Sequence, residues 1–277
     1  MISNLRKFIP HPSALIPFLF FASCHAEKPV VVGSKNFTES VILGEMLAQK
    51  LESSGCKADR RLNLGGTLVC DAAIASGSLD TYVEYSGTAL EAILHQPNAS
   101  VADAYAKRGL HWGPPLGFND TFAMIVRRDS GLRTISDLKR VEATYQPGFG
   151  YEFAERPDGW KGLLQHYGLR FAKPPKTMDL GLTYKALASG QVDLIAGNST
   201  DGLIQSLGLT VLDDDKHFFP RYDAAVVYRN DLDPKCRAAL DSLGGILDDA
   251  TMRRLNLEVD GQKRPVGEVV RDFLRKH

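Results

Sequence analysis

Apolar positions along the chain switch between two rhythms. Pro29 to Val32 is a short β-branched run turned by Gly33-Ser34. Asn36 with Glu39 three residues on reads as a capping box opening a helix, in which Leu43, Leu47 and Leu51 recur every four residues as a stripe facing a sheet. Gly55 ends that helix, Lys57 to Leu64 reads as a second strand, and Gly65-Gly66-Thr67 starts the next helix. A third strand, Leu79 to Glu84, ends at Tyr85-Ser86-Gly87-Thr88. Strand, helix, strand, helix, strand is the order of an open parallel sheet.

The pattern occurs twice. Ala73-Ile74-Ala75-Ser76-Gly77-Ser78-Leu79-Asp80 returns 113 residues later as Ala186-Leu187-Ala188-Ser189-Gly190-Gln191-Val192-Asp193. At the same spacing Glu39 falls on Glu152, Leu51 on Leu164, Gly55 on Gly168, Lys57 on Arg170 and Tyr85 on Asn198, so the repeat is a half-domain and the chain has two lobes. The strand Val192 to Gly197 ends at Asn198-Ser199-Thr200-Asp201-Gly202, as its counterpart ends at Tyr85. Each is a strand's carboxyl end running into a helix start, the edge where open α/β sheets bind ligands because free helix N–H groups point outward. If the lobes face each other, Tyr85 and Asn198 line opposite walls of one cleft.

The 277 residues accommodate two domains, and 44% hydrophobic with 24% charged residues is ordinary for a soluble globular protein. Net charge is zero, with no basic excess of the kind that marks a nucleic-acid partner. At the amino terminus Arg6-Lys7 precede an apolar run from Phe8 to Phe21, followed by small residues at Ala22-Ser23. This is a secretory signal peptide, too short and too interrupted by proline to span a membrane. Phe21-Ala22-Ser23-Cys24 also resembles a lipobox, so the processed chain is either anchored through a lipidated Cys24 or cut after Ala26 and free in the periplasm. The expected division is signal 1–26, a first lobe of 27–120 with 226–277, and a second lobe of 121–225. Without Cys24, the cysteines Cys56, Cys70 and Cys236 allow at most one disulfide and leave an odd thiol. A Cys56–Cys70 pairing is disfavoured by the strand between them.

Eight short motifs then carry a family resemblance: Gly33-Ser34-Lys35-Asn36-Phe37-Thr38-Glu39, Leu64-Gly65-Gly66-Thr67, Glu84-Tyr85-Ser86-Gly87-Thr88, Gly117-Phe118-Asn119-Asp120-Thr121, Arg156-Pro157-Asp158-Gly159, Ser199-Thr200-Asp201-Gly202, Phe219-Pro220-Arg221-Tyr222 and Met252-Arg253-Arg254-Leu255-Asn256. Together, and in this order, they resemble the glycine betaine/choline (osmoprotectant) solute-binding proteins of ABC importers. The resemblance implies an α/β, type II periplasmic-binding-protein (flytrap) fold: two pseudo-symmetric Rossmann-like lobes, a ligand cleft and a hinge of two crossing segments, near Gly117 to Arg127 and Phe218 to Arg229. It implies a monomer that delivers a small quaternary-ammonium compound to a membrane permease and its ATPase, with no cofactor and no metal.

A quaternary ammonium has no N–H to donate, so it is held by aromatic faces and oriented carbonyls, each face contributing roughly 0.5–2 kcal/mol when desolvated. By the resemblance, Tyr85 and Tyr222 are two walls of the cage, Phe122 stands where the family has another tyrosine, and Asn198 takes a fourth aromatic place. The Asp120 carbonyl faces the cation. Lys35, with Asn36 beside it, Thr88 and Arg156 serve a carboxylate, Arg156 bidentately. Asn198 removes one face and adds an amide, which makes a betaine with an extra polar group, carnitine or ergothioneine, a rival to glycine betaine; an amino acid is a further alternative.

Each residue has a plainer role open to it. Tyr85 can be a strand-end aromatic, Phe122 and Tyr222 hinge packing, Lys35 a solvated turn residue, Arg156 the partner of Asp158 or Glu152, and Asn198 the cap of a helix near Thr200. Asp201 reads as a dipole-stabilising or interlobe residue, Asp213-Asp214-Asp215 as a solvated loop, and Cys70 as a small buried apolar residue. Enzymes and sensory modules share the fold, but the seven histidines have no paired metal-ligand spacing and no Gly-x-Ser-x-Gly elbow or phosphate loop appears, so binding without catalysis is expected.

Overall fold

The computed structural model describes residues 28–276. The signal segment, with Cys24 and the cleavage site, lies outside the described residues. The chain first builds β1 (Val30–Lys35), α1 (Thr38–Ser53), β2 (Ala58–Gly65), α2 (Thr67–Ala75), β3 (Thr81–Tyr85), α3 (Ser86–Thr88), α4 (Val101–Ala106) and β4 (Leu110–Asn119). It continues through β5 (Phe122–Arg127), β6 (Pro147–Gly150), α5 (Tyr151–Glu155), α6 (Trp160–Tyr167), β7 (Lys176–Met178), α7 (Leu180–Ala188), β8 (Leu194–Asn198), α8 (Gly202–Ser206) and β9 (Leu209–Val211). It closes with β10 (Asp223–Arg229), α9 (Pro234–Asp241), α10 (Asp249–Asn256) and α11 (Val266–Leu274).

These strands form two five-stranded sheets, ordered β2-β1-β3-β10-β4 and β7-β6-β8-β5-β9. The chain crosses between them at Asp120-Thr121 and again over 212–222. The sheets are mixed, which corrects the expectation of purely parallel ones. The repeated strands β1, β2, β3 and β6, β7, β8 do pair in parallel, but β10 runs antiparallel to β3 and β4, and β5 antiparallel to β8 and β9. The physical reason is the crossing: β5 and β10 enter each sheet from the opposite lobe, from the cleft end, and so run against the strands beside them.

Helices cover both faces of each sheet. Leu43, Leu47 and Leu51 of α1, all buried, meet Val226, Met252 and Phe273 on one face of the first sheet, while Cys70, Ile74, Tyr82 and Tyr105 fill the other. Trp160 and Leu163 of α6 pack one face of the second sheet, and Tyr184 and Leu187 of α7 the other. Burying a side chain of this size contributes roughly 1.5–3 kcal/mol, so the amphipathic stripes dictate which helix face turns inward. Cys56, just past α1, is bonded to Cys236 of α9, with Cα atoms 6.0 Å apart. Cys70 is a free, buried thiol pushed up to about 12 by its burial.

The sequence repeat is a structural repeat. α2 and α7, and β3 and β8, begin and end at positions 113 residues apart. The counterpart of α1 is broken into α5 and α6 around Arg156-Pro157-Asp158-Gly159. The residue before a proline avoids helical backbone, and Arg156 is accordingly extended (φ −68°, ψ 150°), which turns it out of the helix. A Cβ on Gly159 would lie 2.1 Å from the Phe153 carbonyl oxygen, so the break also requires a glycine.

The capping box at Asn36 and Glu39 does not form. Phe37 is the N-cap of α1, no side chain caps the helix, and Glu39 turns inward to buried partners instead of reaching back. Nor does Asn198 cap the following helix: α8 starts at Gly202 after Asp201. Asp214 is not a solvated loop residue, because it accepts hydrogen bonds from the Tyr167 hydroxyl and the Phe218 and Phe219 amides, and so shapes the return crossing.

Candidate functional site

The ends of the two sheets enclose a cavity of about 550 Å³. Lys35, Asn36, Tyr85, Thr88, Asp120, Phe122, Arg156, Asn198 and Tyr222, which span 188 residues of sequence, all line it. Strand ends deliver most of them. Lys35 and Tyr85 close β1 and β3, while Phe122 and Asn198 are direct partners where β5 begins and β8 ends. Asp120 and Tyr222 sit on the two crossings and are tied together by the Asp120 amide donating to the Tyr222 carbonyl (3.1 Å).

Phe122 and Tyr222 form one aromatic wall of the cavity, which Tyr85, paired with Phe37, also lines. Phe122 meets Tyr222 edge-on with centroids 5.4 Å apart, and Phe153 and Phe219 support it from behind at 5.0 and 5.9 Å. Phe122 therefore packs against the cores and lines the cleft at once. Tyr222 is held by its hydroxyl, which donates to Asp158 (2.6 Å), and its ring passes so close to Gly87 that a Cβ there would sit 2.7 Å from it. Tyr85 donates its hydroxyl to Glu39 (2.8 Å). Burial first, and then the neighbouring carboxylate, push both tyrosine hydroxyls well above their ordinary range, so both remain neutral donors.

Two of the cations in the cleft wall, Lys35 and Arg156, already have anionic partners. The Lys35 ammonium contacts Glu84 at 2.5 Å and lies 5.2 Å from the Tyr85 ring centroid. Arg156 makes a two-pronged pair with Asp158 (2.8 and 2.5 Å), donates to the Thr88 hydroxyl (3.3 Å) and stands 5.0 Å from the Phe122 centroid. Lys35 and Arg156 are thus buried in ion pairs, with their remaining N–H groups available to an anion, and the plainer pairing of Arg156 with Asp158 holds. The Asn198 carboxamide has no hydrogen bond among the described residues; its backbone is engaged, the N–H donating to the Asp201 carboxylate (2.9 Å) and the carbonyl accepting from the Asp201 amide (3.1 Å).

Five acidic residues shape the site without having been singled out as ligands. Glu39, Glu84 and Asp158 anchor Tyr85, Lys35 and Arg156. Asp201 accepts from the Tyr184 hydroxyl (2.5 Å) and is raised to about 7, chiefly by burial. It is the N-cap of α8 and lines the cleft, its carboxylate accepting from the Tyr184 hydroxyl and the Asn198 amide and not from the helix's own N–H groups. Glu152 reaches across the cleft to the Thr67 amide at the start of α2 (2.6 Å). The repeat carried a usable clue, since Glu39 and Glu152 are equivalent positions and each contacts the opposite lobe, Glu39 through Thr200.

Residues 28–276 match the family described as the substrate-binding domain of ABC-type glycine betaine transport systems (OpuAC). The chain is 37% identical to a glycine-betaine-binding protein of Pseudomonas aeruginosa, over 94% of this chain and 91% of that one. It is 34% identical to the ergothioneine transport permease/ergothioneine binding protein EgtU of Helicobacter pylori, over 99% of this chain, but spans only 52% of that longer protein. Among solved structures, a glycine betaine/carnitine/choline ABC transporter protein superposes with a TM-score of 0.72 at 30% identity, over 90% of this chain and 98% of that one. With two sheets facing across a single cleft and a family match over every described residue, the chain belongs to the OpuAC family of substrate-binding domains of ABC-type glycine betaine transport systems.

Proposed function

We propose that the chain captures a small quaternary-ammonium compound, glycine betaine, choline or a related betaine, in this cleft and delivers it to the permease of an ABC importer. The observation that carries the reading is the convergence of the Tyr85, Phe122 and Tyr222 rings on one cleft that Lys35, Thr88 and Arg156 also line. Aromatic faces suit a cation that cannot donate a hydrogen bond, while the residual N–H groups of Lys35 and Arg156 suit a carboxylate. Asn36 and the Asp120 carbonyl complete the contacts, and residues 27–120 with 226–277 move against 121–225 as the two lobes. The molecule acts as a binding monomer, without catalysis, outside the cytoplasmic membrane, free or lipid-anchored, and works with the permease's ATPase.

A second reading rests on Asn198. Its unpartnered carboxamide faces the cleft where the repeat sets it opposite Tyr85, so a betaine with an additional polar group, such as carnitine or ergothioneine, gains a hydrogen bond there. Calorimetric titration of protein refolded free of carried-over ligand, against glycine betaine, choline, carnitine, ergothioneine, proline and glutamine, separates these. Binding confined to trimethylammonium compounds is expected. Binding of proline or glutamine alone contradicts the cation cage while leaving the fold assignment standing.

A further inference from the structure

Behind the aromatic walls lies a cluster of carboxyl groups with too few protons for its geometry. Glu39 enters from α1: its Oε1 accepts from the Tyr85 hydroxyl (2.8 Å), and its Oε2 accepts from Asn256 Nδ2 (3.0 Å) and lies 2.5 Å from Thr200 Oγ1. Asp120 Oδ1 lies 2.7 Å from the same Thr200 oxygen. A threonine hydroxyl carries one hydrogen and can donate to only one of these two carboxyls. The other contact at that distance requires a proton on a carboxyl that donates to the threonine oxygen in turn. Glu39, Asp120 and Thr200 are 1%, 6% and 0% exposed, so water does not supply the missing donor from bulk.

The surroundings favour that proton. The Lys35 ammonium is committed to Glu84 of β3. The remaining charged neighbours are mostly negative: Asp201 with its partner Tyr184 of α7, and Asp260, which accepts from Thr38 beside Glu39 and is partly offset by Lys263. Asn256 Oδ1, buried next to Glu39, finds no donor among the described residues. Burial raises both Glu39 and Asp120, and Glu39 raises Asp120 further, as expected of two acids forced to share a site.

We propose that the buried Glu39–Asp120 pair holds one proton while the cleft contains no cation and gives it up to solvent when a cationic head group binds, so that the site selects a cation over its uncharged isostere. This rests on the quaternary-ammonium reading above. Asp120 lines the cleft and Glu39 hydrogen-bonds the hydroxyl of the Tyr85 wall, so a positive charge in the cage stabilises the doubly ionised pair and replaces the proton. The sign follows by linkage. The ligand-free pair binds the proton more tightly than the liganded pair, so affinity rises with pH, by up to about tenfold per unit, between the liganded and ligand-free pKa values and is level above them.

The test is titration calorimetry of the refolded wild-type protein with glycine betaine, at several pH values from about 5.5 to 8, in buffer pairs of unlike ionisation enthalpy. The slope of apparent enthalpy on buffer enthalpy counts protons, and a release of between about 0.3 and 1 proton is expected within that range. The carbon isostere tert-butylacetate, with the same carboxylate and no cation, is expected to bind at least about tenfold more weakly and to release no proton. Choline and its tert-butyl analogue serve in the same way if choline is the ligand that binds. Glu39→Gln, or Asp120→Asn if the first does not fold, is expected to abolish the release. Glycine betaine binding with no buffer dependence, proton uptake, or equal affinity for the isostere each overturns the inference and leaves the betaine reading in place. Failure of every trimethylammonium compound to bind removes both.

Discussion

Tyr85 illustrates how one wall of the proposed cage is held. Its hydroxyl is fixed by Glu39, its ring lies beside the Lys35–Glu84 pair, and it is 3% exposed, so any face it offers is desolvated in advance. Replacing Tyr85 by Ala is expected to weaken betaine binding by at least about 1 kcal/mol, and calorimetry showing unchanged affinity would remove it from the site. Asp201 carries a pH signature of its own. Its folded value of about 7 lies above that of an unfolded aspartate, so its contribution to stability is complete at low pH and is lost as pH rises from about 4 through about 7. Urea unfolding of the ligand-free protein is expected to show that descent, and Asp201→Asn is expected to reduce it by on the order of 1–3 kcal/mol. A descent unchanged in the variant would place the titration elsewhere.

At the scale of elements, much was legible beforehand. Strand ends and helix starts were readable because glycines and β-branched runs punctuate them, and the offset that pairs α2 with α7 and β3 with β8 is written in the octapeptide itself. The antiparallel insertion of β5 and β10 was not readable, since periodicity reports a strand's faces and not its direction. The inward turn of Glu39 was hidden for a related reason: a Glu near a helix start favours a capping box by local rules, and only the tertiary partners Tyr85, Thr200 and Asn256 decide otherwise. The Cys56–Cys236 bond joins positions 180 residues apart, beyond any local signal, and ties the end of α1 to α9. Its reduction is expected to lower unfolding stability by roughly 2–5 kcal/mol in thermal scans with and without reductant. Gly87→Ala tests the packing of α3 against Tyr222, because the added methyl displaces the ring; affinity is expected to fall while the fold persists, as judged by circular dichroism.

For the whole molecule, the cleft is bridged by contacts that need both lobes in place: Glu152 to the Thr67 amide, Glu39 to Thr200, and Arg156 to Thr88. In the proposed function, a ligand touching both sides favours a closed arrangement by its differential affinity for it. Glu152→Ala removes one bridge without touching the aromatic walls and is expected to weaken betaine binding several-fold, about 1 kcal/mol, mainly through faster dissociation in stopped-flow measurements. The cation cage stands or falls on a crystal structure of the complex with the tightest-binding trimethylammonium compound. The quaternary nitrogen is expected within about 6 Å of the Tyr85, Phe122 and Tyr222 ring centroids, with any carboxylate toward Lys35, Thr88 and Arg156. A ligand lying in the opposite orientation, or bound outside this cleft, would contradict it.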